Sequence, residues 1–177
     1  MLTLKGTHGT TRSRIKKINI EGFKLSGGLV GKGIYFWSDG PYAHDLAVAW
    51  WEFNCSRNSY KVDEDITCTV ILAFFLIEDH EFLDLEQKVI KDELASIAKK
   101  RNLNIYDKRG ASSVRALFID RLEKRLSVKF KVIETSVTLP GKKFSNFYPL
   151  MLIGSPHCYI VLDTNCIQIE KISYIVD

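Results

Sequence analysis

The stretch Thr67–Ile77 constrains this chain most. Its run from Val70 to Ile77 is apolar at every position, so a strand built from it shows an apolar face on both sides and belongs inside a covered sheet. The run is far shorter than the ~18 residues that cross a membrane. The chain has 177 residues, close to one domain at about 150 residues each. With no repeat, low-complexity tract or linker, it reads as a single domain over 1–177. A chain of 46% hydrophobic and 26% charged residues is not of the disordered class. Cys55, Cys68, Cys158 and Cys166 form no C-x-x-C pair, so small buried thiols are expected and zinc spacing is lacking. Met1-Leu-Thr-Leu-Lys has no basic head followed by an apolar stretch, so a cytoplasmic address without membrane contact is expected.

Around the central strand the other elements fall in order. Met1–Thr7 reads as an edge strand. Thr10 or Thr11 caps a helix whose Ile15 and Ile18 share an inner face, and Gly22 stops it. Ser26–Gly33, with four glycines, reads as loop, followed by the β-prone run Ile34–Trp37 and a turn at Asp39-Gly40-Pro41. Ala43–Phe53 reads as a helix with Leu46, Ala47 and Trp50 on one side. Helices are expected over Glu86–Lys100 and Ser113–Leu126, and strands over Phe130–Thr138, Tyr159–Leu162 and Ile167–Val176. Pro140–Ser145 reads as a basic, turn-rich loop. Strands gather at both ends and helices in the middle, which favours an α+β fold over a doubly wound sheet.

The glycine-rich segment fails as a phosphate loop, because the glycines precede a strand and Lys32 is followed by Gly33. It also fails as a dinucleotide fingerprint, because no helix follows its third glycine. Read jointly with the N-terminus it is more informative. His8-Gly9-Thr10, then Ile18 with Glu21-Gly22-Phe23, then Gly31-Lys32-Gly33-Ile34-Tyr35-Phe36, resembles the catalytic core of poly(ADP-ribose) polymerases and related ADP-ribosyltransferases. That family reads H-G-S/T, a helix ending in G-F/L, then G-K-G-I-Y-F. Cys158-Tyr-Ile-Val-Leu-Asp resembles its E-Y-I-V-Y-D strand more loosely. The helical middle matches nothing in the family.

The resemblance implies a split β-sandwich of two small, mostly antiparallel sheets, with helices inserted in the middle of the chain and NAD bound as substrate in the split. A nucleophile at the ribose C1′ then displaces nicotinamide. In that site the backbone of Gly9 matches the nicotinamide amide. His8 donates to a ribose hydroxyl, and Tyr35 offers a face to the cationic ring. Thr10 and Gly33 belong to the same motifs. Of Tyr42, Trp50 and Trp51, Trp50 is the favoured second aromatic. Arg12 and Arg14 are placed to meet the pyrophosphate.

The third catalytic position departs from the family. Its glutamate, which supports positive charge developing at C1′, is replaced by Cys158, preceded by His157. The motif reads His-Tyr-Cys, so polymer synthesis is not expected. His157, Cys158, or an out-of-register acid such as Asp163 or Glu170 are the candidates for that role. Two classes of function follow. The first is a mono-ADP-ribosyltransferase, or close NAD glycohydrolase variant, of the bacterial or phage-defence toxin type. Its acceptor is protein or RNA/DNA, with room for a bound antitoxin protein. The second is an NAD- or ADP-ribose-binding module that has lost the family glutamate. An RNA 2′-phosphotransferase shares the fold but needs more Arg and His in the pocket than the sequence places there. Net charge is +4; Lys142, Lys143, Arg121, Lys124, Arg125, Lys129 and Lys131 offer basic surface for a nucleic-acid acceptor.

Overall fold

The computed structural model describes residues 1–27, 31–103, 108–141 and 148–175. The expected basic loop at 140–145 lies outside the described residues from 142 onward. The chain is α+β. In order, its elements are β1 (Leu2–Thr11), α1 (Arg12–Glu21), β2 (Ser26–Gly27), β3 (Lys32–Ser38), α2 (Ala43–Ser56), β4 (Cys68–Ile77), β5 (Phe82–Asp84), α3 (Lys88–Lys100), α4 (Lys108–Leu126), β6 (Val132–Ser136), α5 (Leu150–Ile153), β7 (His157–Val161) and β8 (Ile167–Ile175).

The strands run β5-β6-β7-β3-β1-β4-β8 across one sheet, with β2 paired to β3. All described pairings are antiparallel except β5 with β6. A parallel pair needs a long crossover, and α3 and α4 fill that connection. The run Val70–Ile77 is central, as its two apolar faces require. Ile71, Ala73 and Phe75 face one core and Cys68 and Val70 another. The sequence reading of β1 as an edge is corrected: it lies between β3 and β4 and extends to Thr11. The mixed Thr-Lys-Gly-Thr-His composition hid a strand buried at one end and open to a cavity at the other.

The sheet has a waist. β1 pairs with β4 over ten positions, Leu2↔Ile77 to Thr11↔Cys68, but with β3 over two only, Gly6↔Ser38 and Thr7↔Trp37. Beyond Thr7 the strands part, leaving lobes β1-β4-β8 and β2-β3-β7-β6-β5. The strands form one eight-stranded hydrogen-bonded path, not the two separate small sheets that the resemblance implies.

Helix α1 packs on one face through Ile15 against Phe36 and Phe75. Thr11 caps it, its hydroxyl accepting from Arg14 N, and Gly22 ends it at φ 74°, as expected from sequence. Helix α2 covers the opposite face through Leu46 and Ala47 against Trp37 and Val70. It approaches β1 closely: Thr7 Oγ1 donates to the Ala43 carbonyl at 2.6 Å, and a Cβ on Gly9 would sit 1.8 Å from the Ala47 oxygen. Gly33 is also a close-approach position, where a Cβ would meet the Ile160 methyl at 2.5 Å. The short strand β5 and the turn α5 were not expected from sequence; each is below the length at which periodicity speaks.

Backbone blocks the substitution at Gly9 and a side-chain methyl the one at Gly33, so the two should differ. Gly9→Ala is expected to cost about 3 kcal/mol or more and Gly33→Ala about 1–3 kcal/mol, measured as urea-unfolding free energies.

Candidate functional site

Where β1 and β3 part, a cavity of about 950 Å³ opens, lined by His8, Gly9, Thr10, Tyr35, Trp50 and Cys158 among others. Ligand sites run to about 300–1,000 Å³. Six positions expected from sequence therefore meet in one space, although β1, β3, α2 and β7 carry them.

The cleft is bridged by one side chain. His8 Nδ1 lies 2.8 Å from the Tyr35 carbonyl. A carbonyl only accepts, so Nδ1 carries the proton and Nε2 presents a lone pair. This is the reverse of the donor role that the resemblance implies for His8: at Nε2 the neutral ring can only accept. The ring packs against Phe23 and Phe36, at centroid distances of 6.3 and 5.4 Å. Burial pushes its pKa below the ordinary histidine value; the bond to Tyr35 opposes this and the Arg14 charge adds to it. The imidazole is therefore neutral at pH 7.

Gly9 contributes backbone. Asp39 N donates to the Lys5 carbonyl on the β3 side of β1, and Arg12 N donates to Thr67 on the β4 side. Peptide groups alternate direction along an antiparallel strand. Those of Thr7 and Gly9 therefore point toward β3, and at Gly9 the strands have already parted. Its N–H and C=O thus face the split. Tyr35 donates its hydroxyl to the Gly31 carbonyl at 2.8 Å, so the phenol is tied to the glycine loop and its ring is what it offers the cavity. Trp50 stands beside Phe53, with ring centroids 5.8 Å apart.

The cationic side is built by a residue that sequence reading gave equal weight with Arg12. Arg14, Lys17, Ile18 and Glu21 all line the cavity; their spacing of three and four marks one helix face. Arg12 lies off that face. It pairs with Asp65 at 3.8 Å and stacks on Tyr174 at 5.0 Å, so Arg14 and not Arg12 reaches the cavity. Arg14 Nε donates to Asp63 Oδ2 at 2.8 Å and its Nη2 to the Ser59 carbonyl at 3.0 Å, with the guanidinium 4.5 Å above the Tyr60 ring. Asp63, whose side chain is 3% exposed, also accepts from Thr11 Oγ1 at 2.7 Å. Two of five guanidinium N–H groups are used, leaving three for a ligand. Lys17, Lys24 and Arg57 add cations, and Lys24 is paired with Glu21.

The third catalytic position yields no anion. Cys158 lines the cavity but is buried, and burial drives its thiol pKa up; it is a protonated thiol at neutral pH. His157 points elsewhere, its Nδ1 2.9 Å from Glu134 Oε1. Asp163 caps the turn at Asn165, and Glu170 pairs with Lys5 at 3.5 Å. Neither acid lines the cavity, and nor do Gly33, Arg12 and His157. Gly33 serves the β3–β7 contact instead. Among the described residues no group of His, Cys, Asp and Glu fits a metal ion, and no described helix is long and apolar enough to cross a membrane.

Comparison with protein-family models, curated proteins and solved structures finds no match to this chain.

A neutral buried histidine must take up a proton on unfolding in acid, because its unfolded pKa is near 6.5 and its native one is lower. Its contribution to stability is complete above pH ~6.5 and is lost as pH falls from there through the native value. The urea midpoint is expected to drop between pH 7 and 5, and His8→Asn, whose amide can keep the bond to Tyr35, is expected to flatten that slope.

Proposed function

We propose that the chain is an NAD-dependent mono-ADP-ribosyltransferase with the split-sheet architecture of the ADP-ribosyltransferases, of the toxin or defence type and acting in the cytoplasm. One observation carries the reading: His8, Gly9 and Tyr35 reach a single dinucleotide-sized cavity from two strands that part beside them. These positions belong to the two separate motifs that carry the family resemblance.

The fit is chemical as well as spatial. The Gly9 amide pair suits a carboxamide, the His8 Nε2 lone pair takes a hydrogen bond from a ribose hydroxyl, and the Tyr35 ring suits a cationic pyridinium. Arg14, braced by Asp63 and Ser59, supplies oriented donors for phosphate oxygens. In the reaction the bond from C1′ to nicotinamide nitrogen breaks and its electron pair leaves with neutral nicotinamide. An acceptor oxygen or nitrogen, or water, forms the new bond to C1′ and gives up its proton. Without a carboxylate at 158, transfer of one unit is expected, not polymer growth.

A second reading has its own support. The protonated Cys158 thiol, with Asp63 held by Arg14 and Glu21 by Lys24, leaves no free described carboxylate along the cavity. That favours a module that binds NAD or ADP-ribose without turnover.

Incubation with NAD separates the two. The transferase releases nicotinamide, with release falling about 100-fold in His8→Ala and NAD binding weakening about tenfold in Tyr35→Ala. Calorimetric binding of NAD with release no greater than in His8→Ala, with and without cell lysate, establishes the module. Cys158→Ala is expected to leave release within about threefold, because a protonated thiol adds little to a developing cation; a larger loss would give Cys158 a catalytic role.

A further inference from the structure

Away from the cleft, the seam between α3 and α4 forms a second cavity of about 260 Å³ lined by Glu93, Ser96, Ile97, Lys100, Arg101 and Arg121. Three cations meet one carboxylate there. We propose that this seam is a phosphate-binding site through which the protein holds the backbone of a nucleic acid.

The convergence of cations carries the argument. Four basic residues around this helical unit are paired: Lys91 with Glu86, Lys124 with Asp120, Lys129 with Glu123 and Lys131 with Glu81. Lys100, Arg101 and Arg121 form no ion pair with a described residue, and these are the three that converge on one concave space. Other cations of this unit, such as Lys88 and Arg115, also lack a described ion pair but do not line the cavity; the seam differs in bringing three together over one carboxylate. Lys100 and Arg101 sit at the C-terminal end of α3, where a helix dipole alone favours positive charge. Arg121, within α4, has no such explanation. The Ser96 hydroxyl supplies a neutral donor between the cations.

Size and surroundings select the ligand. The space is large enough for a phosphoryl group, and it lies at the seam of two helices. Arg125, one turn beyond Arg121 on the same face of α4, and Lys99 beside Lys100 are exposed and also lack a described ion pair. They extend the positive strip beyond one phosphate, as a polyanion requires. Tyr35, which lines the cleft, packs against the same core as Ile97 of the seam. Binding at the seam stands independently of turnover; its use as an acceptor surface rests on the proposed transfer reaction.

The test is fluorescence anisotropy of labelled single-stranded RNA, single-stranded DNA and duplex DNA across a salt series. At least one should bind at low salt, the arms reporting which polymer is preferred. Lys100→Ala with Arg121→Ala is expected to weaken binding about tenfold or more and lower the salt slope by about two. Lys124→Ala with Lys129→Ala removes the same charge from paired positions and should change affinity less than about threefold. Thermal melts check that both variants are folded. The proposal is overturned by an absence of binding to all three polymers at low salt, by equal losses in the two double variants, or by saturation with inorganic phosphate alone. Nicotinamide release without polymer, read in parallel, reports the cleft by itself, so the two failures are distinguishable.

Discussion

The unequal pairing of β1 governs the molecule. Along one edge β1 is locked to β4 for its full length, and along the other it holds β3 for two residues before leaving it. A strand whose peptide groups lack a partner on one side must satisfy them with side chain, water or ligand. The His8 bond to the Tyr35 carbonyl satisfies one acceptor on the β3 side. The Gly9 peptide on the β1 side remains directed into the cavity. The cavity is thus the place where the sheet stops completing itself.

Two helices keep the split from closing. Helix α2 sits so near β1 that Gly9 has no room for a side chain, which fixes β1 against the α2 backbone. Helix α1 wedges Ile15 and Phe23 against Phe36 on the other face. The turn after α1 begins with Gly22 at positive φ, and that reversal brings Phe23 back onto His8. The glycine-phenylalanine pair after the helix therefore shapes the histidine's surroundings.

Much of this was legible in the sequence. The uninterrupted apolar run at 70–77 announced a central strand, and the cap at Thr11 and stop at Gly22 bounded α1. The two motifs brought His8, Gly9 and Tyr35 together because local strings with fixed spacing report local geometry well. Long-range choices were harder. That β1 is central depends on β3 and β4 pairing with its two sides, which the amino acids of β1 do not encode. That Arg14 and not Arg12 faces the cavity was within reach: with Ile18 inward, positions 14, 17, 18 and 21 share its side and 12 does not. The burial of Cys158 and the turn of His157 toward Glu134 follow from the register of β7 on β6, Thr135↔Cys158 and Ser136↔His157. A one-residue slip would exchange their faces, so composition alone leaves the third position open.

The missing anion changes how such a cleft must work. Where a carboxylate steadies charge at C1′, the enzyme can wait for the acceptor with the bond already weakened. In the proposed reaction the groups that would meet the riboside are a neutral imidazole, a ring face and a protonated thiol, and the fixed cations stand at the Arg14 side. Those cations would favour a pyrophosphate in ground state and transition state alike, tightening binding without lowering the barrier. Stabilisation that grows as the bond breaks would then have two sources: polarisation of a ribose hydroxyl by His8 Nε2 and the approach of the nucleophile itself. A cleft working in this way would bind firmly and turn over slowly until an acceptor is held in place.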